Sequence, residues 1–123
     1  MSTILVVDDE YLIANILGWA LEDEGFDVEL AGNGKKALDL LKEKRVELVI
    51  TDYMMPEMNG EELATGIRAL SQLQELPIIL MSGAQAHKGR DNPGLFAAVF
   101  DKPFDIEQLI AKVKELVDTP EAP

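Results

Sequence analysis

Residues 4–10 read Ile4-Leu5-Val6-Val7-Asp8-Asp9-Glu10, four apolar residues followed at once by three acids. A strand covered on one face alternates apolar and polar residues, whereas an unbroken apolar run of this length suits a strand covered on both faces, as in a parallel sheet. The next stretch has a different period. Leu12, Ile13, Ile16, Leu17, Ala20 and Leu21 recur at helical spacing over 11–24, and Gly25 supplies a stop. The same alternation continues along the chain. Residues 26–31 set Phe26, Val28 and Leu30 against Asp27 and Glu29, the pattern of a strand nearer a sheet edge. Asn33 caps a helix predicted over 34–44, with Ala37, Leu38, Leu40 and Leu41 as its apolar face. A third strand over 46–51 leads into a loop over 52–60 marked by Pro56 and Asn59-Gly60, then a helix over 61–72 carrying Leu63, Ile67 and Leu70. Strands four and five fall at 77–82 and 97–100. The last helix spans 105–117, capped by Asp105, with Ile106, Leu109, Ile110, Val113, Leu116 and Val117 as its stripe.

Five strands alternating with helices predict an α/β fold of three layers around a parallel sheet. In such sheets ligands bind beyond the carboxyl ends of the strands. Those ends carry Asp8 and Asp9 after the first strand, Asp52 after the third, Ser82 after the fourth and Lys102 after the fifth. Adjacent carboxylates repel one another unless a cation or protons compensate. A hard divalent ion, Mg2+ or Mn2+, answers that need, taking a few carboxylates and keeping waters that a phosphate can displace. Asp52, ending a strand beside this cluster, suits a nucleophile, because an aspartate attacking phosphorus yields an acyl phosphate. The transition state spreads negative charge over three oxygens, for which a metal, the Lys102 ammonium and the Ser82 hydroxyl are suitable partners. Singly, each residue has a plainer explanation: Asp8 or Asp9 as a helix cap, Asp52 in an Asx turn, Ser82 as a loop serine, Lys102 as a solvated lysine. Their joint occurrence at four strand ends points to phosphoryl chemistry.

Composition sets the outer bounds. With 123 residues, 47% of them hydrophobic, the chain suits one domain over 1–118, with 119–123 as a tail or the start of a linker. The apolar runs are far shorter than the ~20 residues that span a bilayer, and no basic leader precedes the first strand, so a cytoplasmic protein without membrane partners is expected. The absence of cysteine excludes disulfides and thiolate metal sites. A net charge of −12 argues against direct nucleic-acid binding. The densest basic group, Lys42, Lys44 and Arg45, ends a helix, where cations offset the dipole. Trp19 lies at the edge of the first helical stripe and is expected to pack. That stripe spans about half the circumference, wider than the ~100° a core face requires. His87, in a polar loop, is expected to be solvated.

Four segments taken in order, Val6-Val7-Asp8-Asp9-Glu10, Thr51-Asp52-Tyr53-Met54-Met55-Pro56-Glu57-Met58-Asn59-Gly60, Met81-Ser82-Gly83-Ala84 and Asp101-Lys102-Pro103-Phe104, carry a resemblance. The chain resembles a receiver domain of bacterial two-component response regulators over nearly all of 1–118. The resemblance implies a flavodoxin-like, doubly wound, five-stranded parallel sheet of order 2-1-3-4-5. It makes Asp52 the phosphorylated residue and Asp9 a direct metal ligand, with Asp8 helping partly through water and the Met54 carbonyl as a further ligand. Ser82 and Lys102 would touch the phosphoryl oxygens, and the Lys102-Pro103 bond would be cis. The implied donor is a phosphohistidine on a sensor histidine kinase or histidine phosphotransfer domain, with small donors such as acetyl phosphate also serving. Phosphorylation and dephosphorylation would be self-catalysed, with no other enzyme activity. The output is conformational, acting on a partner or an attached output domain. The first helix and the Pro103 loop would dock the donor, making Ile13, Ile16 and Pro103 candidate contacts.

Two departures from the family pattern stand out. Val99 occupies the position usually held by Tyr or Phe, while Phe100, one residue on, should face the other side of the sheet. The stretch between Ser82 and Lys102 is a little short and contains Gly83, Gly89 and Asn92-Pro93-Gly94, so the fourth helix is expected to be shortened or irregular. Activation is then expected to order or shift residues 83–96 without an aromatic rotamer change. Two other classes compete. A flavin-binding electron carrier needs a hydroxyl- and glycine-rich phosphate loop where this chain has Asp8-Asp9-Glu10. A Mg2+-dependent phosphatase with an aspartate nucleophile typically places two carboxylates, spaced two apart, after a single strand.

Overall fold

The computed structural model describes residues 2–83 and 94–117. Five strands, β1 (Thr3–Val7), β2 (Asp27–Ala31), β3 (Leu48–Asp52), β4 (Ile78–Ser82) and β5 (Ala98–Asp101), form one sheet of order β2-β1-β3-β4-β5. Every neighbouring pair is parallel, with Ile4 opposite both Val28 and Leu48, Asp52 opposite Met81, and Ser82 opposite Asp101. The helices are α1 (Tyr11–Asp23), α2 (Gly34–Glu43), α3 (Gly60–Arg68) and the C-terminal α4 (Ile106–Val117). Most of the stretch between β4 and β5 in which a shortened or irregular helix is expected, residues 84–93 with His87 among them, lies outside the described residues.

Strand side chains alternate between faces, and each strand therefore feeds two cores. Leu5, Val7, Val49, Ile78 and Leu80 pack with Ala37, Leu41, Leu63, Ala64 and Ile67 of α2 and α3. Ile4, Val6, Leu48, Ile50, Ile79 and Met81 pack with Ala14, Leu17 and Leu21 of α1 and Leu109 and Val113 of α4. The continuous apolar runs of β1, β3 and β4 are explained by this double cover. Strand order reverses between β1 and β3, which opens the crevice at the carboxyl edge. None of the described helices is long and apolar enough to cross a membrane.

The Asn33 side chain accepts from Lys36 N at 2.8 Å, and Asp105 Oδ1 accepts from Glu107 N at 2.8 Å, so both expected caps are present. The helix expected over 61–72 instead spans Gly60–Arg68. Beyond it the bonds Leu70 N to Ile67 O and Leu73 N to Leu70 O close three-residue spacings, tightening the chain out of α geometry. Arg68 secures this turn, donating from Nη1 to Leu73 O at 3.1 Å and from Nη2 to Leu95 O at 3.0 Å.

Trp19 does not pack as expected: it is 61% exposed, and Leu12 and Ile16 are exposed beside it. The seam of α1 is Ala14, Leu17, Gly18 and Leu21. At about 100° per residue, positions 12, 16 and 19 lie roughly opposite that seam. The small residues at 14 and 18 bring α1 onto the sheet; a Cβ at Gly18 would stand 3.4 Å from Val28 Cγ1. Two of the basic residues at the end of α2 are tied to neighbours, Lys44 Nζ to Glu29 at 2.8 Å and Arg45 Nε to Glu47 at 3.3 Å.

Candidate functional site

Asp52 and Ser82 occupy the last rung of a strand, Asp8 and Lys102 the position just beyond one, and Asp9 and Met54 the second position beyond. Asp8 N extends the β1–β2 ladder by donating to Ala31 O at 3.1 Å. Asp52 ends β3, held by Tyr53 N donating to Met81 O at 2.9 Å, and Ser82 ends β4, where its carbonyl accepts from Lys102 N at 2.8 Å. The two-residue strand period carries Val6 on to Asp8 and Ile50 on to Asp52, so both carboxylates continue the face that α1 and α4 cover. Lys102 follows β5 and precedes a cis bond to Pro103, as expected.

The geometry joins these groups into one site. Carboxylate oxygens of Asp8, Asp9 and Asp52, one from each, lie within 4.8 Å of one another. Lys102 Nζ pairs with Asp52 Oδ1 at 2.8 Å. Asp8 is 2% exposed, and its Oδ1 accepts from Glu10 N at 2.9 Å. That bond is a local turn and not a helix cap: the N-cap of α1 is Glu10 and no side chain caps it, so neither Asp8 nor Asp9 serves as the cap that the plainer explanation required. Oδ2 of the same carboxylate is buried with no partner, and so is Ser82 Oγ. Buried polar atoms without partners are uncommon; here two occur at one sheet edge.

Burial pushes Asp8 up from 3.8 to about 6. The hydrogen bond from Glu10 N opposes this, while the negative charges of Asp52 and Glu10 add to it and Lys102 offsets part. For Lys102 the largest single influence, desolvation, lowers the pKa. It is outweighed by the hydrogen bond and charge of Asp52, with Asp8 and Glu10 adding, and the ammonium is held above its usual value. Three close carboxylates against one ammonium leave the cluster short of positive charge. The donor set is oxygen alone, with no sulfur or imidazole, which fits a hard divalent cation. Asp8 Oδ2, buried without a partner, is one of the oxygens that could ligate such a cation.

The loop after Asp52 forms the other wall. Asp9, Tyr53, Met54, Met55, Pro56 and Asn59 line a cavity of about 460 Å³. Met55 is buried and Met58 joins the α2–α3 core, whereas Met54 is 60% exposed. Glu57 has a φ of 70° within a tight turn in which Met58 N donates to Pro56 O at 2.7 Å. Glutamate carries no sequence signal for that left-handed conformation. Gly60, read from the sequence as a turn residue, instead begins α3 and abuts the Asp52 carbonyl. The available signal was a glycine directly after a capping asparagine, at a first helical position where no turn requires it. On β5, Val99 packs toward the α2–α3 core and Phe100 toward the other, edge-on to Phe104 at 6.3 Å, as the strand period predicts.

Residues 4–114 match the response regulator receiver domain family. Among similar sequences, a CpxR homolog of Haemophilus influenzae, described as a transcriptional regulatory protein, is 38% identical over 95% of this chain and 51% of its own length. The chain thus spans about half the length of that relative. Among solved structures, the signal receiver domain of a signal transduction histidine kinase from Syntrophus aciditrophicus superposes with a TM-score of 0.89 at 28% identity, covering 100% of this chain and 95% of that one. The response regulator protein TrrA of Thermotoga maritima, in complex with Mg2+-BeF, superposes with a TM-score of 0.83 at 34% identity, covering 95% of this chain and 100% of that one.

Proposed function

The chain belongs to the response regulator receiver domain family, and from that premise we propose that Asp52 is the residue that accepts the phosphoryl group. The observation that carries the reading is the Asp52 carboxylate, drawn into a three-carboxylate cluster and paired with Lys102 at 2.8 Å. The donor is a phosphohistidine on a sensor histidine kinase or phosphotransfer domain. An Asp52 oxygen attacks phosphorus, the bond from phosphorus to the imidazole nitrogen breaks, and the released imidazole takes up a proton. Lys102 exchanges its contact with Asp52 for one with a phosphoryl oxygen. The Ser82 hydroxyl, buried without a partner, is free to donate to another. Asp9, Asp52, the Met54 carbonyl and Asp8 are the residues that would hold Mg2+ or Mn2+. Such a cation supplies the positive charge that the carboxylates lack and that a transferring phosphoryl group requires.

The domain, taken as residues 1–118, phosphorylates and dephosphorylates itself and has no other turnover. Its product is a conformation, read by a partner or an output domain attached beyond residue 118. Its net charge of −12 supports assigning any nucleic-acid contact to such an output domain. We place it in the cytoplasm, where a kinase's phosphohistidine is presented. Intact mass after incubation with acetyl phosphate and Mg2+ tests the site. The wild type should gain one phosphoryl group, Asp52→Asn none, and Asp9→Ala none at matched Mg2+. A gain by Asp52→Asn would move the acceptor elsewhere.

A further inference from the structure

Gly60 opens α3 directly after Asn59, whose side chain accepts from Glu62 N at 2.8 Å while Glu62 Oε1 accepts from Asn59 N at 2.9 Å. This capping box leaves no local reason for glycine at 60, since alanine is the better helix former. The reason is tertiary. A Cβ at Gly60 would stand 2.6 Å from Asp52 O, 2.9 Å from Leu80 Cδ1 and 3.0 Å from Tyr53 Cα. Two of these three are backbone atoms at the end of β3 and cannot yield without moving it. Gly60 N also donates to Tyr53 O at 2.9 Å, closing the loop that contains Met54. The missing side chain thus lets α3 lie directly on the backbone that bears Asp52 and leads into Met54.

We infer that Gly60 is a positioning residue for phosphoryl transfer, setting the Asp52 carboxylate and the Met54 carbonyl through the backbone of residues 52–54. The inference rests on the reading of Asp52 as acceptor. Gly66, in the same helix, is the control: a Cβ there would meet only the end of the Leu38 side chain, at 3.3 Å, which can turn aside.

The test follows labelling by acetyl phosphate at saturating Mg2+, with Mg2+ affinity by calorimetry and folding by circular dichroism and urea. Gly60→Ala should label about 10²-fold more slowly, the penalty of a displacement approaching 1 Å, and bind Mg2+ more weakly. Gly66→Ala should label at the wild-type rate. A second variant, Gly60→Ala with Leu80→Val, removes the side-chain contact but leaves the clash with Asp52 O. It should regain stability relative to Gly60→Ala while its labelling stays slow. Wild-type labelling by Gly60→Ala, or recovery of labelling together with stability in the double variant, would overturn the inference. So would failure of the double variant to fold, which would assign Gly60 to packing alone. The acceptor reading is scored separately, by whether the wild type takes a label that Asp52→Asn does not.

Discussion

Replacing Asp8 with asparagine should stabilise the metal-free protein at neutral pH. The wild-type carboxylate is 2% exposed, beside Asp52, and has one oxygen without a partner. An asparagine keeps an oxygen to accept from Glu10 N and carries no charge. Burial first, then the charge of Asp52, pushes Asp8 from 3.8 to about 6 against the opposing Glu10 hydrogen bond. Between those values the native protein holds a proton that the unfolded chain has released. Wild-type stability therefore falls as pH rises through that window and levels off above it. The full shift corresponds to ~3 kcal/mol. Solvent screening at the open edge of the site reduces this to about 1–2 kcal/mol, a difference on the order of 1 M in the urea midpoint. The assay is urea unfolding of both proteins by circular dichroism, in chelator, at several pH values between about 4 and 8. The advantage of Asp8→Asn should be near zero at the acid end, grow through the window and reach a plateau above pH 6. A variant no more stable than wild type at neutral pH, or a gap independent of pH, would show that Asp8 carries no such burden.

Three further outcomes are expected. Lys102→Ala should keep the acceptor but slow labelling by about 10²-fold, the usual loss on removing one charge-stabilising donor; an unchanged time course of intact mass would remove the lysine from the reaction. Trp19→Ala should change stability by less than about 0.5 kcal/mol, as for exposed positions, while Leu21→Ala should lose ~2–5 kcal/mol. Equal losses would mean that Trp19 packs after all. In amide exchange, a Mg2+–beryllofluoride complex should differ from the free protein mainly over residues 83–96, because Val99 is β-branched with a stiff χ1 and no ring to swing. Identical exchange there, with Phe100 moving between buried and exposed, would transfer the switch to Phe100.

Much of this molecule is legible in local pattern. The runs at 4–7 and 48–50 have no polar alternation because two helical layers cover them, and that is a property of consecutive residues. The helical stripes and the caps at Asn33 and Asp105 are equally local, since a cap acts within two or three residues of itself. Parallel order with alternating helices brings every strand's carboxyl end to one edge, so Asp8, Asp9, Asp52, Ser82 and Lys102 could be gathered before any distance was known. The two-residue strand period likewise separated Val99 from Phe100 onto opposite faces.

Tertiary structure decided what depends on the distance between remote segments. The apolar stripe of α1 is wide enough to bury either flank, and only the burial of Ala14, Leu17 and Leu21, with Gly18 close against β2, sends Trp19 to solvent. The turn beyond α3 is held by Arg68 reaching the Leu73 and Leu95 carbonyls, the second of them 27 residues away. The raised Asp8 pKa comes first from burial, with the Asp52 carboxylate on another strand adding more than the neighbouring Glu10, and neither the burial nor Asp52 is revealed by the residues beside Asp8 in sequence. Gly60 looks like part of a turn until the carbonyl of Asp52 is found where its side chain would be. Periodicity is a property of neighbouring residues and can be read along the chain, whereas contact, burial and clash are properties of the folded volume.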